Sequence, residues 1–321
     1  MLGIVANPAS GKDVRRLVAR ASVFDNQEKQ AIVRRALIGA ATAGNLDVAY
    51  LNDAHGIVRN AISDTGLDAQ ALDTTRTTTA LDTITAARAM REQRCRAVIT
   101  LGGDGTNRAF CLGWQDAPLV PISTGTNNVF PVLAEATVAG AAAGLVARGA
   151  IELAEVATRQ KIVHVDIEGE REDLALIDVV LTRERFIGAR ALLNPEHLVT
   201  AVLTRADPAA VGITSIGGLV YPVSAHASEG LLLQFGDTGL RLEAPIAPGF
   251  YRQVTIADHC KIDMHQRIKV EGPGVLAFDG ERDRTLKPGQ GATLTLEPTG
   301  PWVINVPHAL HMAAERGLFT R

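Results

Sequence analysis

Five consecutive residues, Gly102-Gly103-Asp104-Gly105-Thr106, set a carboxylate inside a glycine-rich turn. Glycines let a backbone approach a ligand closely and present its N–H groups to an anion, so a phosphate is the natural guest. An acid beside a polyphosphate is electrostatically unwelcome unless Mg²⁺ lies between them or the acid accepts a proton. Both conditions describe phosphoryl transfer. The plainer reading is a turn in which Asp104 caps a helix beginning near Asn107.

Three other segments carry usable groups. Asn7-Pro8-Ala9-Ser10-Gly11-Lys12 invites comparison with a P-loop, but Ala6 stands where the first glycine belongs and Asp13 where the magnesium-binding hydroxyl belongs. That pattern disfavours a Walker A function and leaves Lys12 as a cation for a phosphate. Ser123-Thr124-Gly125-Thr126-Asn127-Asn128 offers hydroxyls and amides to a phosphate, a ribose or an adenine edge. Asp279-Gly280-Glu281 follows an apolar run, and by itself Asp-Gly reads as an ordinary hairpin dipeptide.

The elements that must position these residues alternate through the first half. Apolar runs at 2–6, 46–51, 97–101 and 119–122 read as strands. Between them, 28–43, 57–62 and a segment capped by Thr78 or Thr79 carry helical spacing, and Asp13–Arg20 reads as a further helix. Such alternation predicts right-handed crossovers and a mostly parallel sheet whose ligands sit beyond the carboxyl ends of the strands. The three polar segments at 7–12, 102–107 and 123–128 follow strand ends and are expected to face one crevice.

After Gly149 short alternating runs dominate. Strands are expected at 161–167, 174–182, 217–223, 230–235, 252–257, 274–279 and 292–297, with a helix near 195–204 capped by Asn194 and a terminal helix over 307–317. The expected organisation is an α/β nucleotide-binding domain at 1–150, a β-rich substrate domain at 151–302, and a segment 303–321 packing back on the first.

Composition narrows the classes. Of 321 residues, 46% are apolar and 21% charged, an ordinary globular balance. The net charge of −3 and the scattered Lys and Arg give no basic footprint for nucleic acid. Three separated cysteines, Cys95, Cys111 and Cys260, suggest neither a disulfide framework nor a zinc site, and with no signal-like leader or membrane-length apolar run a cytoplasmic protein is expected.

In order and spacing, Asn7-Pro8-Ala9-Ser10-Gly11, Gly102 to Thr106, Gly125 to Asn128 and Asp279-Gly280-Glu281 together resemble the superfamily of NAD kinases, diacylglycerol kinases and sphingosine kinases. The resemblance spans nearly the whole chain, and its texture looks most like an acetoin-catabolism branch described as NAD kinase-like. It implies a Rossmann-like nucleotide-binding domain, a β-sandwich second domain and a cleft between them. It implies an ATP-dependent kinase acting on a hydroxyl of a small molecule, NAD or a small alcohol, with Mg²⁺. Asp104 and Glu281 would be catalytic, and Asp279 a residue acting through the metal. Asn7, Ser10, Lys12, Gly102, Gly103, Gly105, Thr106, Asn107, Thr124, Gly125, Thr126, Asn127 and Asn128 would bind the nucleotide, and Asp178 the substrate. Two positions depart from the pattern. Ile177 stands where NAD kinases carry the asparagine of an Asn-Glu or Asn-Asp pair, and Asn128 stands where lipid kinases carry an acid. A non-catalytic nucleotide sensor and a lipid kinase are the alternatives. A homo-oligomer is expected.

Overall fold

Leu2–Ala6 (β1) is buried at every position, which fits a strand with packed helices on both faces. The computed structural model describes residues 1–10, 25–63, 65–74, 76–125, 127–184 and 194–320. The expected helix at Asp13–Arg20 and the residues Gly11, Lys12 and Thr126 lie outside the described residues.

β1 lies between Val48–Tyr50 (β2) and Ala97–Gly102 (β4). Ala69–Ala71 (β3) extends the sheet beyond β2, and Pro118–Ser123 (β5) extends it beyond β4. The strand order is β3-β2-β1-β4-β5-β17-β6, parallel throughout except that Ala157–Arg159 (β6) runs antiparallel to Trp302–Ile304 (β17). One face is covered by Asn26–Ala41 (α1), Ile57–Ile62 (α2), Ala136–Arg148 (α5), Leu153–Val156 (α6) and Val306–Glu315 (α8). Ala80–Glu92 (α3), capped by Thr79, and Asp104–Gly113 (α4) cover the other. Small residues let α1 and α5 touch backbone to backbone: a Cβ on Gly140 would collide with the carbonyl of Ala36.

The antiparallel part is spliced into this α/β layer between β6 and β17. A four-stranded sheet has the order β13-β16-β7-β8, formed by Arg267–Glu271, Gly291–Glu297, Ile162–Ile167 and Asp173–Ala175. A six-stranded sheet, β12-β11-β10-β9-β14-β15, contains Phe250–Asp263, Glu229–Ala247, Leu198–Leu203, Asp178–Thr182, Gly274–Phe278 and Glu281–Leu286. The two sandwich a core that includes Val163, Val165, Val179, Leu276, Phe278 and Leu294. Ile213–Val220 (α7) covers the outer face of the larger sheet. Among the described residues no helix is long and apolar enough to cross a membrane.

Three expected elements differ, each for a physical reason. The strand expected at 174–182 is two strands in different sheets, broken at Leu176-Ile177, where the Asp279 carboxylate accepts the backbone N–H groups. The helix expected near 195–204 is a single 3₁₀ turn, Pro195–His197, capped by Asn194. Its β-branched continuation is then captured as β10 between β9 and β11. The strand expected at 217–223 is α7. Ile213 and Ile216, one turn apart, are buried against the sheet, and Gly217 and Gly218 let the helix approach Leu203 and the Asp207-Pro208 backbone.

One arginine pins the two layers. Arg108 on α4 donates from Nη2 to Asp173 (2.6 Å), from Nη1 to Asp283 (3.1 Å) and from Nε to the Leu174 carbonyl (2.7 Å), and its guanidinium lies 4.4 Å from the Phe278 ring centre. Burial alone would lower its pKa, but Asp173, Asp279 and Asp283 reverse that and hold it above the usual value. Arg108→Met leaves Asp173, only 3% exposed, with Arg284 as its remaining ion pair. The substitution should cost roughly 3 kcal/mol of stability, read as a lower urea midpoint at unchanged m-value.

Candidate active site

In the parallel sheet β1, β4 and β5 are neighbours, and the strand order reverses between β1 and β4. A crevice opens beyond the carboxyl ends at such a reversal. The residues following these three ends meet there: Asn7 Nδ2 donates to Thr106 Oγ1 (2.9 Å), and Thr124 Oγ1 donates to Ser10 Oγ (3.0 Å). The three segments thus form one bonded rim.

A residue that sequence reasoning passed over holds the first segment in shape. Lys29, in the first turn of α1, is fully buried, and its ammonium donates to the carbonyls of Asn7 (3.1 Å), Pro8 (3.0 Å) and Ser10 (2.6 Å). Its signal in the sequence was a lysine on the otherwise apolar face that carries Ile32 and Ala36.

The glycine-rich turn runs into α4 earlier than expected, with Gly103 as the N-cap and Asp104 already in the first turn. Asp104 does not cap its own helix. Its carboxylate accepts the backbone N–H of Phe130 (2.7 Å, Oδ1) and of Val129 (3.1 Å to each oxygen), tying β4's end to the loop after β5. The helix dipole and first-turn amides of α4 make this end attractive to an anion.

The other expected site residues divide by what their side chains do. Asn107 is fully buried, accepting from Thr100 Oγ1 (2.6 Å) and donating to the Gly103 carbonyl (2.9 Å). It shapes the turn from inside instead of presenting its amide to a ligand. Asn128 donates to Ser123 Oγ (2.7 Å) and lies against Gly103, where a Cβ would sit 2.8 Å from its Oδ1. Ser123 Oγ in turn donates to the Gly125 carbonyl (2.7 Å). Asn127 faces open space in the cleft.

Asp279-Gly280 is the turn of the β14–β15 hairpin. Both residues have positive φ, 50° and 77°, in the manner of a primed two-residue turn, and Phe278 pairs with Glu281. The Asp279 carboxylate is buried and accepts N–H groups from Ile177 (2.7 Å), Leu176 (3.0 Å) and Asp178 (3.3 Å). Burial pushes its pKa up to about 6, against the opposing pull of Arg108 and the three amides. Glu281 reaches back across the gap: a Cβ on Gly105 would lie 3.4 Å from its Oε1.

These parts enclose a cleft with about 730 Å³ of empty space, counted out to the solvent at its mouth. Asp104, Asn127 and Val129 line it from the α/β side; Asp178, Asp279, Gly280, Ile213, Ile216 and Ile246 line it from the sandwich side. The expected metal role of Asp279 does not fit this geometry, because its oxygens are turned onto backbone amides. Among the described residues no three His, Cys, Asp or Glu side chains gather as a metal cage.

Arg205, at the end of β10, was also missed. Its Nη2 donates to Gln160 Oε1 (3.0 Å), its guanidinium stands 5.7 Å from the Phe130 ring centre, and it feels the charges of Asp104 and Asp279. Its sequence signal was a lone charge closing an apolar run, Leu203-Thr204-Arg205.

A 3-2-1-4-5 parallel sheet with its glycine-rich turn at the reversal point, facing an antiparallel sandwich, is a mixed α/β architecture of the NAD-kinase type. Residues 2–151 match the family model of the ATP-NAD kinase N-terminal domain, and residues 161–299 match that of the acetoin catabolism protein X C-terminal domain. The acetoin catabolism protein X of Cupriavidus necator (strain H16) is 36% identical over 313 residues, covering 92% of this chain and 87% of that protein. The chain belongs to the acetoin catabolism protein X family. Among solved structures, yeast NADH kinase complexed with NADH aligns at 13% identity and a TM-score of 0.47, over 99% of this chain and 87% of that one. An NAD kinase from Archaeoglobus fulgidus in complex with ATP aligns at 14% identity and a TM-score of 0.44, over 86% and 100%.

Two substitutions test the local physics. Lys29→Met strips the charged donor from three carbonyls and should lower stability by roughly 2 kcal/mol or more, measured by urea denaturation. Asp279 has a raised folded-state pKa, so its contribution to stability is fully present below the unfolded value and is lost as pH rises through about 6. Lowering the pH from 7 to 5 should therefore favour the wild type over Asp279→Asn by about 1 kcal/mol, read as the change in their stability difference. An unchanged difference would mean that this carboxyl is not the titrating group.

Proposed function

We propose that the chain is a phosphotransferase that moves the terminal phosphoryl group of ATP to a hydroxyl of a small molecule. The observation that carries this reading is the bonded rim at the strand reversal, Asn7 with Thr106 and Ser10 with Thr124, set against carboxylates from the opposing sheets across one cleft. Match of the first half to an ATP-NAD kinase domain supports it, and the relative's name supports a link to acetoin catabolism.

In this reading the polyphosphate lies on the rim, over the amino end of α4, where backbone N–H groups and the dipole offset its charge. Gly102, Gly103 and Gly105 keep side chains out of its way, and Lys12 supplies a cation. The acceptor enters from the sandwich side, near Asp178. Its hydroxyl oxygen forms a bond to the γ-phosphorus as the bond from that phosphorus to the β–γ bridging oxygen breaks, ADP leaves, and the hydroxyl proton passes to Asp104. The amides of Val129 and Phe130 fix that carboxylate in orientation, which is how a base is held ready for one position of the substrate. Glu281, beside Gly105, helps to orient the acceptor.

Asp104→Asn keeps an oxygen for the two backbone amides and removes the base. Acceptor-dependent ADP release should fall by ~10²–10⁴-fold with the circular dichroism spectrum and urea midpoint unchanged. Full activity in this variant would remove Asp104 from the chemistry. Calorimetric ATP binding with no acceptor-dependent release in the wild type would instead identify a nucleotide sensor.

A further inference from the structure

Two carboxylates of the cleft, one from each layer, are joined by an unbroken run of contacts that passes through Arg205. On the sandwich side the Asp279 carboxylate accepts the N–H groups of Leu176 and Ile177. The carbonyls of the same two residues accept from Thr204, whose N–H donates to Ile177 (2.8 Å) and whose Oγ1 donates to Leu176 (2.8 Å). Thr204 is fully buried, so the point from which the next side chain departs is fixed. The Arg205 guanidinium then stands against the Phe130 ring on the α/β side, and the Phe130 N–H donates to Asp104 (2.7 Å).

Hydrogen bonding alone does not account for this arginine. Among the described residues its side chain has one acceptor, Gln160 Oε1, and its Nε is buried without one. Burial works against its charge, and the pull of Asp104 and Asp279 works for it. A guanidinium kept from water with so few acceptors is costly unless opposite charge and an aromatic face offset the loss, and here those are the two cleft carboxylates and Phe130. Gln160 is itself held, its N–H donating to the Pro301 carbonyl (2.8 Å) and its Nε2 to the Thr158 carbonyl (3.1 Å). It stands where the chain passes from β6 into the sandwich, so Arg205 spans from that splice to the loop after β5. Arg205 is not among the residues that line the cleft.

Resting on the phosphotransfer reading above, we propose that Arg205 is a positioning residue for the base: it fixes the Phe130 loop against the sandwich and so sets where the Asp104 carboxylate stands relative to an acceptor bound near Asp178. Base and acceptor sit on different layers, and a misplacement of about 1 Å between reacting groups can cost on the order of 100-fold in rate. A strut between the layers, remote from the ligands, is therefore enough to govern turnover.

The test has two readouts on the full chain. Amide hydrogen exchange followed by NMR reads the bonds from Val129 and Phe130 to Asp104 without any turnover. Arg205→Met should speed exchange at these two amides by about tenfold, the effect of losing one desolvated cation–ring contact, and leave Val98 and Ile99 in β4 unchanged. Acceptor-dependent ADP release, with NAD and short-chain alcohols as acceptors, should lose about 10- to 100-fold in kcat, while KM for ATP and calorimetric ATP affinity stay at the wild-type values. Phe130→Leu removes the ring and keeps the N–H, so it should reproduce both changes, and the double variant should lose no more kcat than either single one. If Arg205→Met does not fold, Phe130→Leu carries the same comparison alone. Unchanged exchange at 129 and 130, or exchange raised equally at Val98 and Ile99, would overturn the assignment, as would kcat losses that multiply in the double variant. Absence of acceptor-dependent release in the wild type would sink the phosphotransfer reading instead, a failure that the exchange rates keep separate because they report on the loop itself.

Discussion

The buried carboxylate of Asp279 is the constraint on which the rest of the molecule depends. It withdraws the backbone donors of Leu176, Ile177 and Asp178 from any strand ladder, so the chain must leave the four-stranded sheet at Ala175 and enter the six-stranded one at Asp178. That crossing orients the sandwich, brings Asp178 to the cleft, and makes the hairpin turn that carries Glu281 reach back to Gly105. A charge is kept out of water to achieve this, which is why its proton is held more tightly than an ordinary aspartate's.

The α/β side answers with polar joints of its own. Asp104 is bonded to the loop after β5, Asn7 to the turn after β4, and Lys29 to the backbone of the loop after β1. Arg108, on the same helix as Asp104 and one turn further, grips the sandwich. Loop shape and layer placement are therefore coupled through a single ten-residue helix. A cleft built in this way is preorganised from both walls, and that matters where chemistry is mostly positioning and charge neutralisation.

Much of the first half was legible in the sequence because β1, β2, β4 and β5 are buried throughout, whereas the short, partly exposed β3 with Gln70 at its centre gives no such signal. Val98 and Ile99 can only belong to a strand covered on both faces, and Thr79 does cap its helix. The convergence of the three polar segments followed from parallel topology alone. Where the reading failed, a distant partner overrode local preference. Nothing within a few residues of Ala175 says that an aspartate a hundred positions later will take its neighbours' N–H groups. Residues 217–223 read as a strand, yet 213–220 form a helix that covers the larger sheet, with Gly217 and Gly218 letting it pack closely. Lys29 and Arg205 escaped notice for a related reason: single cations in apolar runs look like solvated side chains until the carbonyls and aromatic ring that receive them are in view.

β17 has a consequence for how the molecule is made. Trp302 and Val303 complete the hydrogen-bonding edge of β5, and Ile304, Ala309 and Ala313 close the apolar layer over α5. During synthesis that edge stays bare while about 180 further residues are translated, including every strand of the sandwich. The nascent protein must therefore carry an open sheet margin out of the ribosome and seal it last, so truncations near the carboxyl terminus strike the oldest-made layer first.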